Sequence, residues 1–170
     1  ADPAQPMEAP ERTEMVAVIR LVLPYPVSTN RYWRTYQPRG FKAPVTTLSE
    51  EAKAYKREVG LIARAAGVRQ PLQGFVRVSM WLVPHAPQDV AKRMRAQPQT
   101  WPLGVQSLDL GNCEKVVCDA LNGIAWGDDR QIEDLRIQRA PPGQKGLIVE
   151  FEEFVPAWLQ APDLFGEVAA

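Results

Sequence analysis

Carboxylates and one lysine are concentrated in a short part of this chain of 170 residues. Asp109 and Lys115 lie close together, and Asp128 and Asp129 follow a little later in the sequence. Carboxylates brought to about 4 Å repel each other by roughly 4 kcal/mol at an effective dielectric constant near 20. A folded protein keeps such groups ionised only when a cation or a basic side chain compensates them. Magnesium prefers oxygen ligands, so this segment favours a magnesium-dependent reaction.

The other residue types narrow the chemistry further. His85 is the only histidine, which argues against multi-histidine zinc sites and against a histidine-based catalytic triad. The spacing of Cys113 and Cys118 fits neither a zinc site nor a secreted disulfide framework. No glycine-rich phosphate loop is present, and no organic cofactor is expected. Carboxylates, lysine, arginine and aromatic residues remain, and this set suits metal-assisted phosphodiester chemistry.

Charge is distributed unevenly, although the whole chain is neutral. Residues 20–149 contain 19 Lys and Arg against 11 Asp and Glu, a net charge of +8. The acids of this part gather around residues 109–134. A basic surface around an acidic focus favours a polyanionic substrate that is cut at a metal site. A solvated surface flanked by acidic tails would explain the same numbers equally well.

A single domain with a tail at each end is expected from the length. We assign residues 1–14 to a disordered or vector-derived tail, residues 15–155 to the folded domain and residues 156–170 to a C-terminal tail. No apolar run approaches the ~20 residues of a membrane span, and no signal peptide is recognisable. The expected location is therefore the cytoplasm, with no membrane partner.

Periodicity and turn residues predict a succession of strands and helices. A capping box of Thr47 and Glu50 opens a helix over residues 50–66, for which Gly67 is the expected stop. Asn112 as N-cap opens a short helix over residues 114–121, which Asn122-Gly123 ends. Strands are predicted over residues 15–23, 75–83, 135–139 and 147–154, and loops over residues 27–44 and 84–104. The last two strands are expected to be joined by the turn-forming Pro141-Pro142-Gly143. This order favours an α+β fold of two layers, with a mixed β-sheet and two main helices.

Two separated segments resemble the RusA family of Holliday junction resolvases. The first runs from Leu23 to Arg34 and carries Asn30-Arg31-Tyr32 after a proline-containing bend. The second contains Asp109-Leu110-Gly111-Asn112, Lys115, Asp119-Ala120-Leu121 and Asp128-Asp129-Arg130-Gln131-Ile132. It is similar to the family's Asp-x-Asp-Asn-x-x-Lys … Asp-Ala-Leu … Asp-Asp-x-Gln-Val/Ile block. The likeness covers roughly residues 17–154, apart from part of the 84–106 loop, and implies a RusA-like fold.

The resemblance implies a homodimer that binds four-way DNA junctions and cleaves them with magnesium, for which manganese could substitute. By position, it makes Asp109 the first metal-binding carboxylate and Lys115 the lysine of the catalytic site. Asp129 becomes the carboxylate from beyond the helix, with Asp128 beside it. The implied activity is a structure-selective endonuclease that hydrolyses phosphodiesters, in which Lys115 stabilises developing charge.

One position departs from the family's pattern. The family's middle metal-binding aspartate falls at Gly111, which offers no side-chain ligand. A substitution in this particular chain is one explanation, and a carboxylate supplied by Glu114 or Asp128 is another. The third explanation gives the alternative function, which is a protein that binds four-way junctions and cuts them poorly or not at all.

Basic and aromatic residues alternate between positions 30 and 42, in a pattern typical of DNA contact. The residues expected to contact DNA there are Asn30, Arg31, Tyr32, Arg34, Arg39 and Lys42, and a second basic group consists of Lys92, Arg93 and Arg95. The alternatives are that Tyr32 and Trp33 pack under the sheet and that the second group is a solvated loop. Asp119 lies four residues after Lys115, so an ion pair along the helix would explain Asp119 equally well.

Overall fold

A four-stranded mixed β-sheet forms the centre of the computed structural model, which describes residues 17–160. Its strands lie in the order β1-β6-β4-β5, with β1 at Ile19–Leu23, β4 at Phe75–Val83, β5 at Ile132–Arg139 and β6 at Gly146–Phe154. β6 is antiparallel to both β1 and β4, whereas β4 and β5 are parallel. The two longest helices are α2 at Glu50–Ala65 and α4 at Leu110–Leu121. The shorter elements are α1 (Thr29–Tyr32), β2 (Trp33–Tyr36), β3 (Val45–Leu48), α3 (Val90–Ala96), α5 (Ala157–Gln160) and two 3-10 turns (Trp101–Gly104 and Asp129–Gln131).

The hydrophobic core lies between the sheet and the two long helices. Alternate residues of β4 are fully buried, namely Val76, Val78, Met80 and Leu82, as the period-two pattern of this strand predicts. Buried residues of α2 and α4 join the same core cluster, including Val59 and Val117. The predicted two-layer α+β fold with a mixed sheet and two main helices is therefore confirmed.

The helix α2 begins at Glu50 as predicted, but its N-cap differs from the predicted one by two residues. Ser49 is the N-cap, and its hydroxyl oxygen accepts a hydrogen bond from the Ala52 N–H at 3.1 Å. Thr47, which we expected to cap this helix, belongs to β3 and pairs with Arg34 of β2. Thr47 is therefore part of the β2–β3 hairpin and cannot cap the helix. The predicted stop is confirmed, since α2 ends near Gly67, whose φ is 95°.

The start of α4 is also different, with a consequence for the candidate site. The helix begins at Leu110, with Asp109 rather than Asn112 as the N-cap. Asn112 lies inside the first turn and supplies the N–H that the Asp109 side chain binds. The predicted end is confirmed, because Asn122 is the C-cap and Gly123 has a φ of 77°. The helix is thus four residues longer at its start than the pattern predicted.

Both segments predicted to be loops contain secondary structure. Residues 27–44 include α1 and β2, and β2 pairs with β3 as a separate antiparallel hairpin. Residues 84–104 contain α3 and a 3-10 turn. The prediction of loops was wrong because the arginine and proline content concealed short β-forming runs such as Trp33-Arg34-Thr35-Tyr36.

The last two strands are longer than predicted and are not neighbours. β4 lies between β5 and β6, so the Pro141-Pro142-Gly143 segment crosses the end of β4 instead of closing a hairpin. At the N-terminus, β1 covers the end of the predicted 15–23 strand, and the predicted tail over residues 1–14 lies outside the described residues. The predicted 156–170 tail begins with α5, and residues 161–170 are also outside. None of the helices between residues 17 and 160 has the length and apolar character of a membrane span.

Candidate active site and nucleic-acid interface

Asp109 is held in a fixed position at the N-terminus of α4. Its Oδ1 accepts a hydrogen bond from the Asn112 N–H at 3.2 Å. The preceding residue, Leu108, is fixed at both of its peptide groups: its N–H donates to the Tyr25 hydroxyl at 2.7 Å, and its carbonyl accepts from Arg139 Nη2 at 3.3 Å. The Asp109 residue itself is exposed. The surrounding contacts therefore present one carboxylate to solvent from a defined backbone position.

Gly111 and Lys115 lie one turn apart on the exposed side of α4. A Cβ added at Gly111 would come within 3.3 Å of Asp109 Oδ1, so any side chain at this position would lie beside that carboxylate. Within residues 17–160, Lys115 forms no ion pair. Its charge is therefore available to an anion that approaches the same end of the helix.

Asp129 lies at the opposite end of α4. Its Oδ1 accepts a hydrogen bond from the Trp126 indole at 3.2 Å. Trp126 is buried, and its carbonyl accepts from the Gly123 N–H at 2.7 Å, directly after the last turn of α4. The 12 residues of α4 span about 18 Å at 1.5 Å per residue. Asp109 and Asp129 of one chain are therefore separated by the length of this helix.

Asp128 is engaged within its own turn. Its carboxylate accepts hydrogen bonds from the Arg130 N–H at 2.9 Å and from the Arg130 guanidinium at 3.0 and 3.2 Å. These bonds lower the pKa of the Asp128 carboxyl. Gln131 completes the turn, because its Oε1 accepts from the N–H groups of Gly127 and Asp128 at 2.7 and 2.9 Å. The turn therefore sets the position of Asp129, whereas the carboxylate of Asp128 is already hydrogen-bonded to Arg130.

The acidic residues between positions 17 and 160 of one chain do not form the metal cluster that the sequence suggested. Among residues 17–160, no group of three or more His, Cys, Asp or Glu side chains is arranged to hold a metal ion. Glu114, the other substitute ligand considered, is half-buried in the middle of α4. The described part of a single chain therefore does not fit a three-carboxylate magnesium site, and the metal-binding roles of Asp109, Asp128, Asp129 and Glu114 stay predictions.

Asp119 has partners that the sequence pattern did not indicate. It accepts hydrogen bonds from the Tyr32 hydroxyl and from Lys56 Nζ, the latter at 3.1 Å. The alternative considered for Asp119, an ion pair with Lys115, is absent among residues 17–160, where Lys56 of α2 pairs with Asp119 instead. Burial, followed by the contact with Asp119, raises the pKa of Tyr32. These contacts join α1, α2 and α4 beneath the candidate site.

Replacing Asp119 with alanine is expected to destabilise the protein by about 1–3 kcal/mol, because the hydroxyl of the buried Tyr32 loses its acceptor. The same replacement in a Tyr32→Phe background should cost less, since no hydroxyl is then left without a partner. Urea unfolding of the wild type, the two single variants and the double variant measures this coupling. Strictly additive free energies of unfolding would contradict the contact.

The predicted DNA-contact residues of the hairpin region fall into two groups. Tyr32 is buried, 3% exposed, so its ring is closed to stacking in this conformation and serves to position α1. The alternative that Tyr32 and Trp33 are packed inside the protein thus holds for Tyr32 but not for Trp33, which is 55% exposed. The residues that remain exposed are Asn30, Arg31, Arg34, Arg39 and Lys42, together with the aromatic side chains of Tyr36 and Phe41. The hairpin therefore presents both cations and aromatic faces to solvent.

The second basic group lies on α3. Lys92 and Arg95 are exposed, and Arg95 Nε donates to the Ala91 carbonyl at 3.2 Å. Arg93 forms an ion pair with Asp89 at 2.7 Å. The charge of Arg93 is therefore paired within its own helix, whereas Lys92 and Arg95 form no ion pair among residues 17–160. Contact of these three residues with DNA stays a prediction.

Both cysteines are free thiols enclosed in the core. Burial raises the pKa of the Cys113 and Cys118 thiols to about 12, well above that of an exposed thiol. The folded state thus favours the protonated form. This contribution to stability is complete below about pH 9 and is lost as the pH rises toward about 12.

Native protein at pH 8 is accordingly expected to react slowly with a thiol reagent, and the two thiols should react at once after unfolding in urea. A time course of thiol labelling with and without urea measures the difference. Rapid labelling of a protein whose circular dichroism stays native would contradict the enclosed positions of Cys113 and Cys118.

Comparison with known proteins defines the class to which this fold and surface belong. Residues 24–152 match the family described as Endodeoxyribonuclease RusA. The crossover junction endodeoxyribonucleases RusA of Escherichia coli strain K12 and Shigella sonnei strain Ss046 are 30% identical over 133 residues, which cover 75% of this chain and 88% of theirs. The crossover junction endodeoxyribonuclease of Enterobacteria phage 82 is 29% identical over the same lengths. The chain belongs to the RusA family of endodeoxyribonucleases, and the resemblance seen in its motifs is confirmed.

Proposed function

We propose that this protein is a magnesium-dependent endonuclease that resolves four-way DNA junctions by phosphodiester hydrolysis. The observation that carries the proposal is the membership of the RusA family, whose relatives are named crossover junction endodeoxyribonucleases. The fixed and exposed Asp109 supports the same reading, as does Lys115 in the second turn of α4, which forms no ion pair within residues 17–160. Lys115 would neutralise a phosphate presented at the N-terminus of α4. The expected setting is the cytoplasm, to which two free thiols are suited.

A homodimer is part of the proposal for a geometric reason. Asp109 and Asp129 lie at opposite ends of a helix that spans about 18 Å, so one ion cannot bind both carboxylates of the same chain. In a dimer with two-fold symmetry, the Asp109 end of one chain can face the Asp129 end of the other. We propose that magnesium, or manganese in its place, is held by these two carboxylates from different chains.

Cleavage of a synthetic four-way junction tests the function. Purified protein with magnesium should nick the junction and leave a linear duplex and a flapped duplex of the same sequence intact, and a chelator should abolish the reaction. Equal cleavage of all three substrates would point to a nuclease without junction selectivity. A protein that binds none of the three at low salt would overturn the proposal.

A junction-binding protein that does not cleave is the second candidate, and Gly111 is the observation that favours it. The family's middle aspartate is missing there, and no three-ligand group is present among residues 17–160. Salt-dependent binding of the junction without product in magnesium or manganese would support this function. Asp109, Lys115 and the basic hairpin would then act in binding alone.

A further inference from the structure

A cleft lies beside the chain segment that leads to Asp109, and the proposed reaction assigns it no role. Its volume is about 720 Å³, within the ~300–1,000 Å³ of typical ligand sites. Its walls come from the segment after β1, from α1 and α2, from α3, and from the chain that leads into α4. Leu108 is part of the lining, so the cleft reaches the residue that directly precedes Asp109.

The lining is positively charged. Arg31, Arg93 and Lys145 line the cleft together with one carboxylate, Glu51, and one histidine, His85. Arg31 is paired with Glu51 at 3.1 Å, and Arg93 is paired with Asp89 at 2.7 Å. Within residues 17–160, Lys145 has no such ion-pair partner. Lys145 is therefore the cation of this cleft whose charge is left for a ligand.

Tyr25 connects this cation to the candidate active site. The Lys145 ammonium lies 4.3 Å from the centre of the Tyr25 ring, where the π face attracts it. The hydroxyl of the same ring accepts the N–H of Leu108 at 2.7 Å. One rigid side chain thus sets the position of Lys145 relative to the backbone that carries Asp109.

We propose that this cleft holds the phosphodiester backbone of a DNA strand, and that Lys145 binds a phosphate next to the one presented at Asp109. A lysine ammonium is a point charge suited to phosphate, and it already covers the Tyr25 ring face that a base would need for stacking. The cleft therefore recognises the backbone and is tolerant of sequence. This inference rests on the proposed function, since it places the substrate strand of that reaction.

The proposed binding of DNA in the cleft is tested by measuring the affinity of a Lys145→Met variant for two DNA ligands. This substitution keeps the unbranched stem and removes the charge of an exposed residue, so the fold is preserved. Fluorescence anisotropy in about 0.1 M salt should show about eightfold weaker binding of a four-way junction and about fivefold weaker binding of a short oligothymidine. The slope of log affinity against log salt should fall by about 0.9 for the junction and by about 0.7 for the oligothymidine. Lys145→Arg should retain most of the affinity. Arg69→Ala is the matched control, because Arg69 is exposed beyond the far end of α2 and does not line the cleft.

The two ligands separate this inference from the proposed function. If Lys145→Met binds both DNAs with wild-type affinity, the cleft does not hold the DNA strand, and the proposed junction function is unaffected. An equal loss of DNA affinity in Arg69→Ala would also contradict a role of the cleft, because any basic surface residue would then contribute equally to binding. Lys145-dependent binding of oligothymidine without preference for the junction would support the cleft and reject the junction function. A wild type that binds neither DNA would reject both.

Discussion

Replacing Gly111 with aspartate is expected to raise magnesium-dependent cleavage of a four-way junction by about tenfold or more, since even the outer partners of a metal site change activity by 10- to 100-fold. The new side chain would start 3.3 Å from Asp109 Oδ1, on an exposed helical residue without positive φ. A carboxylate in the first turn of a helix is also favourable, and glycine is a poor helix former. Single-turnover cleavage of a labelled junction measures the gain.

Gly111→Asn is the matched control, because it has the same shape without the charge. Magnesium should raise the melting temperature of Gly111→Asp more than that of the wild type or Gly111→Asn, since the ion binds the folded state and relieves repulsion between neighbouring carboxylates. This readout does not depend on catalysis. A wild type that cuts well and an aspartate variant that cuts no better would show that no ligand is missing at position 111.

Mixing two inactive variants is expected to restore activity if the site spans two chains. Asp109→Asn keeps a good helix cap, and Asp129→Asn keeps an oxygen for the Trp126 indole, so both variants should fold normally. Each alone should lose at least about 100-fold in cleavage rate, as when a preorganised charged group is removed from a catalytic site. In the mixed dimer, one site receives both substitutions and the other receives none.

An equimolar mixture that exchanges subunits should therefore recover about a quarter of the wild-type nicking rate, since half of the dimers are mixed and each has one intact site of two. A mixture as inactive as its components would place Asp109 and Asp129 of each site on the same chain. The control is an Asp109→Asn, Asp129→Asn double variant mixed with the Asp109→Asn variant, which has no intact site in either arrangement. Size-exclusion chromatography with light scattering establishes the dimer in each sample.

Features with a short sequence signature could be predicted from the chain alone. The alternation of Val76, Val78, Met80 and Leu82 identified β4, because side chains of a strand alternate between two faces. Gly67 and Gly123 marked the ends of α2 and α4, since both adopt a positive φ that favours glycine. The motifs around Asn30 and Asp109 indicated the RusA family, which the comparisons confirm. Each of these signals lies within a few neighbouring residues.

The sequence alone did not show which of several candidate residues caps each long helix. Thr47 and Asn112 both have the side chains of N-caps, but Ser49 and Asp109 cap α2 and α4. Pairing of β2 with β3 removed Thr47 from the helix start, and the fixed peptide groups of Leu108 allowed α4 to begin earlier. A cap is chosen by the surrounding packing as well as by residue type.

The sequence by itself determined the fold class, the family and the residue types available for chemistry on DNA. Only the tertiary structure decided how these residues are combined: Asp119 binds Tyr32 and Lys56, 87 and 63 positions away, and not its helical neighbour Lys115. The length of α4 likewise separates Asp109 from Asp129. Periodicity encodes which face of an element is buried, whereas partners across the core depend on how whole elements pack, which no short segment specifies.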